Sequence, residues 1–429
     1  MAQVDNNKVK SLEAQLMRAS GAGQQAEVAR LWQHILECDP DHVGALAAVG
    51  QNAFRVGDLA RARGLLARLV EVDGSDQQQW LNLAIVCQSQ QDEVGEAAAI
   101  SGALRQDPRD MLALFLRANL LERQGKAHAA ATAYGAVVSV APPLEQLAPQ
   151  LRPAVIQSQT YAEKYNHQFG SFMDQFLATH RSGMRGENLK RFDESVDIMF
   201  GRKKRYDSQS MLFHYPGLAP ITFFEREEFP WLDPIEAATA DIRHEFLQVL
   251  SREQGFGPYL TYSDDQPLNQ FGELNNSLRW SAFHLLQNGQ RVEANAAQCP
   301  LTMQALQHAP QPEQAGRTPS AMFSLLKPHT RIPPHVGVSN VRMVVHLPLI
   351  IPGQCGFRVG NDTREWVPGK AWVFDDTIEH EAWNDSDQLR VVLIFDIWHP
   401  HLSAAERAMI SAMAQGIHAF SDDSGSFAL

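Results

Sequence analysis

Two histidines and an arginine carry the chemistry that this sequence can do. His335 stands in "PPHVGVSN", His380 lies 45 residues further on in "DDTIEHEAW", and Arg390 follows ten residues later in "QLRVVLIFDIW". Imidazoles on two neighbouring β-segments can hold one metal ion and leave coordination positions open, while a guanidinium deeper in the same cavity can take a carboxylate through two parallel hydrogen bonds. The triplet outlines a non-haem Fe(II) centre that uses 2-oxoglutarate as cosubstrate and O2 as oxidant, with Arg390 on the distal carboxylate. The usual His-x-acid pair is incomplete, because Gly337 stands where the acid belongs. On residues alone, His335 is either a ligand without its carboxylate partner or an ordinary histidine leading into a strand. With sixteen histidines in the chain, residue type by itself selects none of them, and the strand setting has to.

That setting comes from the second half of the chain. "WSAFHLLQNG", "AMFSLLKP", "RMVVHLPLIIP", "CGFRVGND", "REWVPGKAWVFDD", "HEAWND" and "LRVVLIFDIW" are short apolar runs parted by Gly, Pro and Asn-Asp turns. Such spacing predicts an all-β sandwich or barrel. We read it as a double-stranded β-helix, a cupin-like jelly roll. His335 is expected to begin a strand after a Pro-Pro turn, and His380 to follow another strand. Before the strands, "PIEAATADIRHEFLQVLSR" reads as one amphipathic helix with Ile235, Ala238, Ile242, Phe246 and Leu250 on one face.

The first third repeats itself with a period of 34 residues: Asp39-Pro40, Asp73-Gly74, Asp107-Pro108 and Ala141-Pro142 fall at equal steps. Gly50, Ala84 and Ala118 share a small-residue position where paired helices approach. Gly23, Gly57, Gln91 and Gly125 share a turn position, and Gln91 breaks its glycine pattern. The stretches between are helical in period and resemble the tetratricopeptide repeat, with about three full units and a partial leading one. Such pairs bury their apolar faces only by stacking, which makes a solenoid that holds a peptide or partner protein. The other reading is a helical cap that only stabilises its neighbour.

The expected organisation is multidomain, an all-α tetratricopeptide-like solenoid followed by a jelly roll with flanking helices. Residues 5–142 form the repeats, 143–205 a helical linker, 206–405 the catalytic domain, and 406–429 a terminal helix and tail.

The stretches "SLLKPHTRIPPHVGVSNVRMVVHLPLIIP" and "WVPGKAWVFDDTIEHEAWNDSDQLRVVLIFDIWHP" resemble the aspartyl/asparaginyl β-hydroxylase family, over about residues 210–400. The resemblance implies Fe(II) held by two histidines, His335 and His380, with glycine in place of the acid and a water in the vacant position. It makes Arg390 the anchor for 2-oxoglutarate, gives Ser324 and His346 contacts to the same cosubstrate, and assigns Trp280 to the active site. One departure stands out: vertebrate members carry an arginine two residues before the histidine matched by His346, where this chain has Val344. Arg342 shares that strand face and is either the replacement or a structural ion pair. Glu379, Glu381, Asp375 and Asp376 are candidates to orient the imidazoles or the water, or else turn and surface acids. The implied reaction is hydroxylation of the β-carbon of Asp or Asn in a peptide or protein engaged by the repeats. Alternatives are hydroxylation of a lipid acyl chain or small molecule, and a non-catalytic repeat adaptor with a degenerate barrel.

Bulk composition sets the remaining bounds. With 37 basic and 49 acidic residues the chain carries −12, which disfavours a nucleic-acid partner. Its basic run "GRKKR" reads as a solvated cluster. No window approaches the roughly 18 apolar residues of a membrane span. The four cysteines are widely spaced, with no CxxC pair, so neither a zinc cluster nor a disulfide framework is expected, and the expected compartment is the cytoplasm.

Overall fold

Each 34-residue period folds into a pair of helices, and the first three pairs are closed by an aspartate. The computed structural model describes residues 6–420 apart from 182, 185, 253 and 264–270. The chain divides into two compact units, 1–201 and 202–429. In the first, the pairs are α1 (Asn6–Gly21) with α2 (Gln25–Cys38), α3 (Val43–Arg55) with α4 (Leu59–Val72), α5 (Gln77–Ser89) with α6 (Glu93–Gln106), and α7 (Met111–Arg123) with α8 (Ala127–Val140). Past the second helix of the first three pairs, the carboxylates of Asp39, Asp73 and Asp107 accept the N–H groups of Asp41, Ser75 and Arg109 at 3.1, 3.1 and 2.8 Å. These side-chain turns stop each helix where the sequence marks fall. Inside the pairs Gly23, Gly57 and Gly125 take φ of 70°, 83° and 69°, and Gln91 takes 57°, so the turn persists without glycine. Gly50, Ala84 and Ala118 are buried in the first helix of their pairs.

The leading unit, expected to be partial, is a complete pair. Leu16 stands one period before Gly50, and this large residue at the small position hides the match. After the repeats, the 30-residue α9 (Arg152–Arg181) packs on α8, with Tyr161 and Tyr134 ring centroids 4.7 Å apart. The last helix of this unit is α10 (Lys190–Met199).

The second unit begins with α11 (Leu232–Ala237) and α12 (Thr239–Arg252), two helices where the sequence reading expected one. At the break the Thr239 hydroxyl donates to the Glu236 carbonyl at 2.6 Å, a local bond that competes with helix continuation. Glu245 on α12 then accepts from the Leu301 and Thr302 N–H groups, both at 2.8 Å, which binds it to the start of α14 (Pro300–Leu306). The short α13 (Glu293–Ala296) precedes it.

The strands are β1 (Gly257–Pro258), β2 (Trp280–Gln287), β3 (Gln290–Arg291), β4 (Ala321–Leu326), β5 (Thr330–His335), β6 (Arg342–Ile350), β7 (Cys355–Val359), β8 (Asp362–Arg364), β9 (Trp372–Phe374), β10 (His380–Asn384) and β11 (Arg390–Trp398). They pair antiparallel in two sheets, one ordered β1-β2-β4-β11-β6-β9 with β3 beside β2, the other β5-β10-β7-β8. From β4 onward the order is first-eighth-third-sixth in one sheet and second-seventh-fourth-fifth in the other, the winding of a double-stranded β-helix. Period-two alternation sorts the side chains of the larger sheet. Met343, Val345, Leu347, Val391, Leu393, Phe395 and Ile397 pack in a core with Ile242, Phe246 and Val249 of α12. Their neighbours Arg342, Val344, His346, Arg390, Ile394 and Asp396 line the cavity, which Phe395 also reaches.

His335 ends a strand, contrary to the expectation that it would begin one. Pro333 and Pro334 lie inside β5, not in a turn before a strand. β5 is the edge of its sheet, where a missing N–H leaves no partner wanting. The last helix is α15 (Ala404–Phe420), and the tail expected beyond it lies outside the described residues. Among the described residues no helix is long and apolar enough to cross a membrane.

Candidate active site

Strand pairing sets His335 directly opposite His380 in the β5–β10 register. Their ring centroids are 4.0 Å apart. Each Nδ1 faces a backbone carbonyl two residues earlier, His335 to Pro333 at 2.8 Å and His380 to Ile378 at 3.0 Å. A carbonyl only accepts, so Nδ1 carries the proton and Nε2 keeps its lone pair. Burial, followed by the facing imidazole, pulls the His335 pKa down to about 3, and burial pulls His380 down to about 4. Both rings are therefore neutral at neutral pH, the form that binds metal.

Beside them lies Asp376. A side chain at Gly337 would run into the Asp376 carboxyl, and the Gly337 N–H donates to the Asp376 carbonyl at 2.6 Å. The room in which an acid at position 337 would sit is thus filled from the loop before β10. Burial raises the Asp376 pKa against the pull of Arg342 and His335, and its Oδ1 has no hydrogen-bond partner among the described residues.

Arg390 is 1% exposed, and among the described residues neither its Nε nor its Nη1 has a partner. Burial pushes its pKa down to about 10. Its guanidinium carbon sits 5.1 Å from the centroid of Trp366, which in turn stacks on His346 at 5.7 Å and 13°. Trp280 donates its indole N–H to Ser324 Oγ at 3.2 Å and stacks on Tyr259 at 3.9 Å. Burial, then Arg390, holds His346 well below the usual histidine range. Arg342 reaches Asp376 at 3.3 Å, and although burial opposes its charge, Asp376 and Asp396 keep its pKa above the ordinary value. His335, His380, Arg390, Ser324, Trp280, His346 and Arg342 all line one cavity of about 940 Å³.

Three neighbours escaped the sequence reading. Phe271 packs edge-on to His335 at 4.8 Å, Tyr259 backs Trp280, and Trp366 backs Arg390. No spacing marks them, since they come from loops that meet the site's residues only in the folded chain. Of the acids considered, Glu379 and Glu381 pair with Arg358 at 3.0 and 2.5 Å, and Asp375 takes the Thr377 N–H and hydroxyl at 2.9 and 2.6 Å.

Among the described residues no third His, Cys, Asp or Glu joins the pair as a metal ligand set. Two neutral imidazoles with ring centroids 4.0 Å apart, beside an acid with one oxygen on Arg342 and the other without a partner among the described residues, and with a guanidinium whose Nε and Nη1 are unpartnered in the same cavity, still fit a ferrous ion that takes two protein ligands and a chelating dicarboxylate.

A family model described as aspartyl/asparaginyl β-hydroxylase matches residues 236–400. The human aspartyl/asparaginyl β-hydroxylase is 32% identical over 210 residues, 48% of this chain and 26% of that protein. The ornithine lipid ester-linked acyl 2-hydroxylase of Rhizobium tropici is 35% identical over 201 residues, 46% of this chain and 68% of its own length. Among solved structures, MamA overlaps 42% of this chain and 97% of its own at 15% identity, with a TM-score of 0.31. The chain thus spans about a quarter of the human relative and two thirds of the rhizobial one. The matched segments cover the jelly roll and both histidines, and the chain belongs to the aspartyl/asparaginyl β-hydroxylase family.

Proposed function

We propose that the protein is an Fe(II)- and 2-oxoglutarate-dependent dioxygenase acting on the β-carbon of Asp or Asn residues in a peptide or protein. The observation that carries this reading is the pair of neutral imidazoles sharing a cavity with a buried guanidinium that has unpartnered donors. When bound, ferrous iron with 2-oxoglutarate supplies oxygen activation, yielding succinate, carbon dioxide and a hydroxylated substrate.

The chain's own residues position the parts. His335 and His380 hold the metal through Nε2, with their backbone hydrogen bonds fixing ring orientation. Arg390 receives the distal carboxylate of 2-oxoglutarate through its free donors, and the Trp366 face keeps the guanidinium in place. Ser324 and His346 would flank the same cosubstrate, and Asp376, which lines the cavity with both imidazoles, would orient a water beside them. Arg342 is matched by Asp376 and Asp396, so its role is to order Asp376 more than to bind the cosubstrate. The apolar walls exclude bulk water.

The helical repeats support a polypeptide substrate, since a binding module in the same chain raises the local concentration of its ligand at the oxygenase. A second reading, hydroxylation of an acyl chain, is favoured by the relative named for that activity and by the apolar lining from Ile394, Ile410 and Met413.

The test is succinate formation from 2-oxoglutarate with Fe(II) and O2, read with mass spectrometry of candidate peptides. His380→Ala is expected to abolish turnover without changing helical content. Undiminished succinate from that variant contradicts the assignment.

A further inference from the structure

Far from Arg390, the same cavity carries three buried polar atoms that no group among the described residues satisfies. Asp396 lies six residues along β11, roughly 20 Å at about 3.3 Å per residue. It is 2% exposed and lines the cavity, and its Oδ2 has no hydrogen-bond partner. Its other oxygen accepts the Ser320 N–H at 2.9 Å, and its own N–H donates to the Ser320 carbonyl at 3.2 Å.

Ser320 closes a turn that is itself tied down. The Gln314 N–H donates to the Thr318 carbonyl and hydroxyl at 3.2 and 3.1 Å, and the Thr318 N–H returns to the Gln314 carbonyl at 3.1 Å. From this turn Gln314 Nε2 and Arg317 Nη2 are also buried without partners, and both residues line the cavity. Among the described residues no acid pairs with Arg317, and burial lowers its pKa. Unsatisfied buried polar groups are costly, and three from one turn and the strand it is tethered to call for a common explanation.

The chemistry selects the occupant. Two of the orphans donate and one accepts. A carboxylate would satisfy Arg317 and Gln314 but face Asp396 as a like charge. An ammonium would satisfy Asp396 but face Arg317. A carboxamide presents an acceptor oxygen and an N–H on one flat group and meets both demands. Alongside, Met322, Ile394, Ile410, Met413 and Ala414 offer an apolar wall for the stem that carries it.

We propose that Gln314, Arg317 and Asp396 form an amide-binding subsite that holds a peptide unit of the substrate, with its carbonyl on Arg317 and Gln314 and its N–H on Asp396 Oδ2. This rests on the dioxygenase reading and narrows it, because an acyl chain alone would leave all three groups unpaired.

The test uses the full chain and three small probes with the same stem: N-methylhexanamide, hexanoate and hexylammonium, titrated by ligand-observed NMR. The amide is expected to bind about tenfold tighter than either charged probe. Asp396→Asn keeps the acceptor for Ser320 and removes the one for the ligand. Arg317→Met keeps the stem and removes the donors. Each is expected to weaken amide binding about fivefold to tenfold while the protein still unfolds as a cooperative folded chain. Tightest binding of hexanoate that is lost in Arg317→Met would make this an anion site and overturn the proposal. Tightest binding of hexylammonium that is lost in Asp396→Asn would make it a cation site, with the same consequence. Absence of binding, or affinities indifferent to both substitutions, also overturns it. Should a variant misfold, the rank order on the unaltered protein decides alone. Failure of the dioxygenase reading would show separately, as absence of iron-dependent 2-oxoglutarate binding.

Discussion

At position 337 the absence of a side chain is a packing requirement as well as a missing ligand. Because a Cβ there would collide with the Asp376 carboxyl, Gly337→Asp does not simply rebuild a three-residue metal site. It is expected to destabilise the protein by about 1–3 kcal/mol through overpacking, without tightening metal binding. Adding Asp376→Gly should recover the loss; thermal unfolding and metal titration read both, and a gain in metal affinity from the single substitution would refute the packing argument. Asp396 gives a pH signature. Burial raises its pKa from 3.8 to about 6, so the folded chain holds that proton more tightly than the unfolded one. Its contribution to stability is full below 3.8 and is lost as pH rises through about 6, a difference of about 3 kcal/mol. Asp396→Asn is therefore expected to melt higher than the parent at neutral pH, with the gap closing as pH falls towards 3.8; equal melting across the range would contradict this. His380 and Arg390 stood out in the sequence because each opens a strand among the apolar runs, whereas His335 closes a strand hidden by two prolines and was assigned through the family resemblance. Trp366, Arg317 and Asp396 did not stand out, since their meaning lies in what they lack or face across the cavity.

Among the elements, the turn at Gln91 shows how a repeat survives a lost signal. Its φ of 57° is the left-handed region that glycine adopts without strain. Gln91→Gly is expected to stabilise the helical unit by about 1 kcal/mol, the usual penalty of a side chain in that conformation, as read by thermal or denaturant unfolding. Loss of stability would mean that the glutamine side chain makes up for the strain. The 34-residue marks announced these turns because Asp and Gly have fixed backbone roles there. Leu16 concealed the first pair for the opposite reason, since a large residue at a helix contact leaves no backbone signature. β5 escaped similarly: two prolines argue against a strand in the middle of a sheet but are harmless at its edge. Its partner β10 is the more legible, and the register between them is what brings the two imidazoles face to face.

Across the whole molecule, each unit owns its core. The clusters around Leu66, Leu81 and Ile100 belong to residues before 201, and those around Phe246, Phe323 and Phe357 to residues after it. Period 34 and period 2 reveal these two architectures from the sequence because burial repeats with the geometry of helix pairs and of pleated strands. The cavity has no such period, and its depth follows from winding eight strands into two facing sheets. The whole account turns on that cavity holding a dicarboxylate through a metal. Anaerobic calorimetric titration of the full chain with 2-oxoglutarate, with and without Fe(II), measures this directly. Binding is predicted only with the metal present, and its loss is predicted in Arg390→Gln and in the His335→Ala, His380→Ala double variant. Equal binding without iron, or intact binding in the double variant, would contradict it.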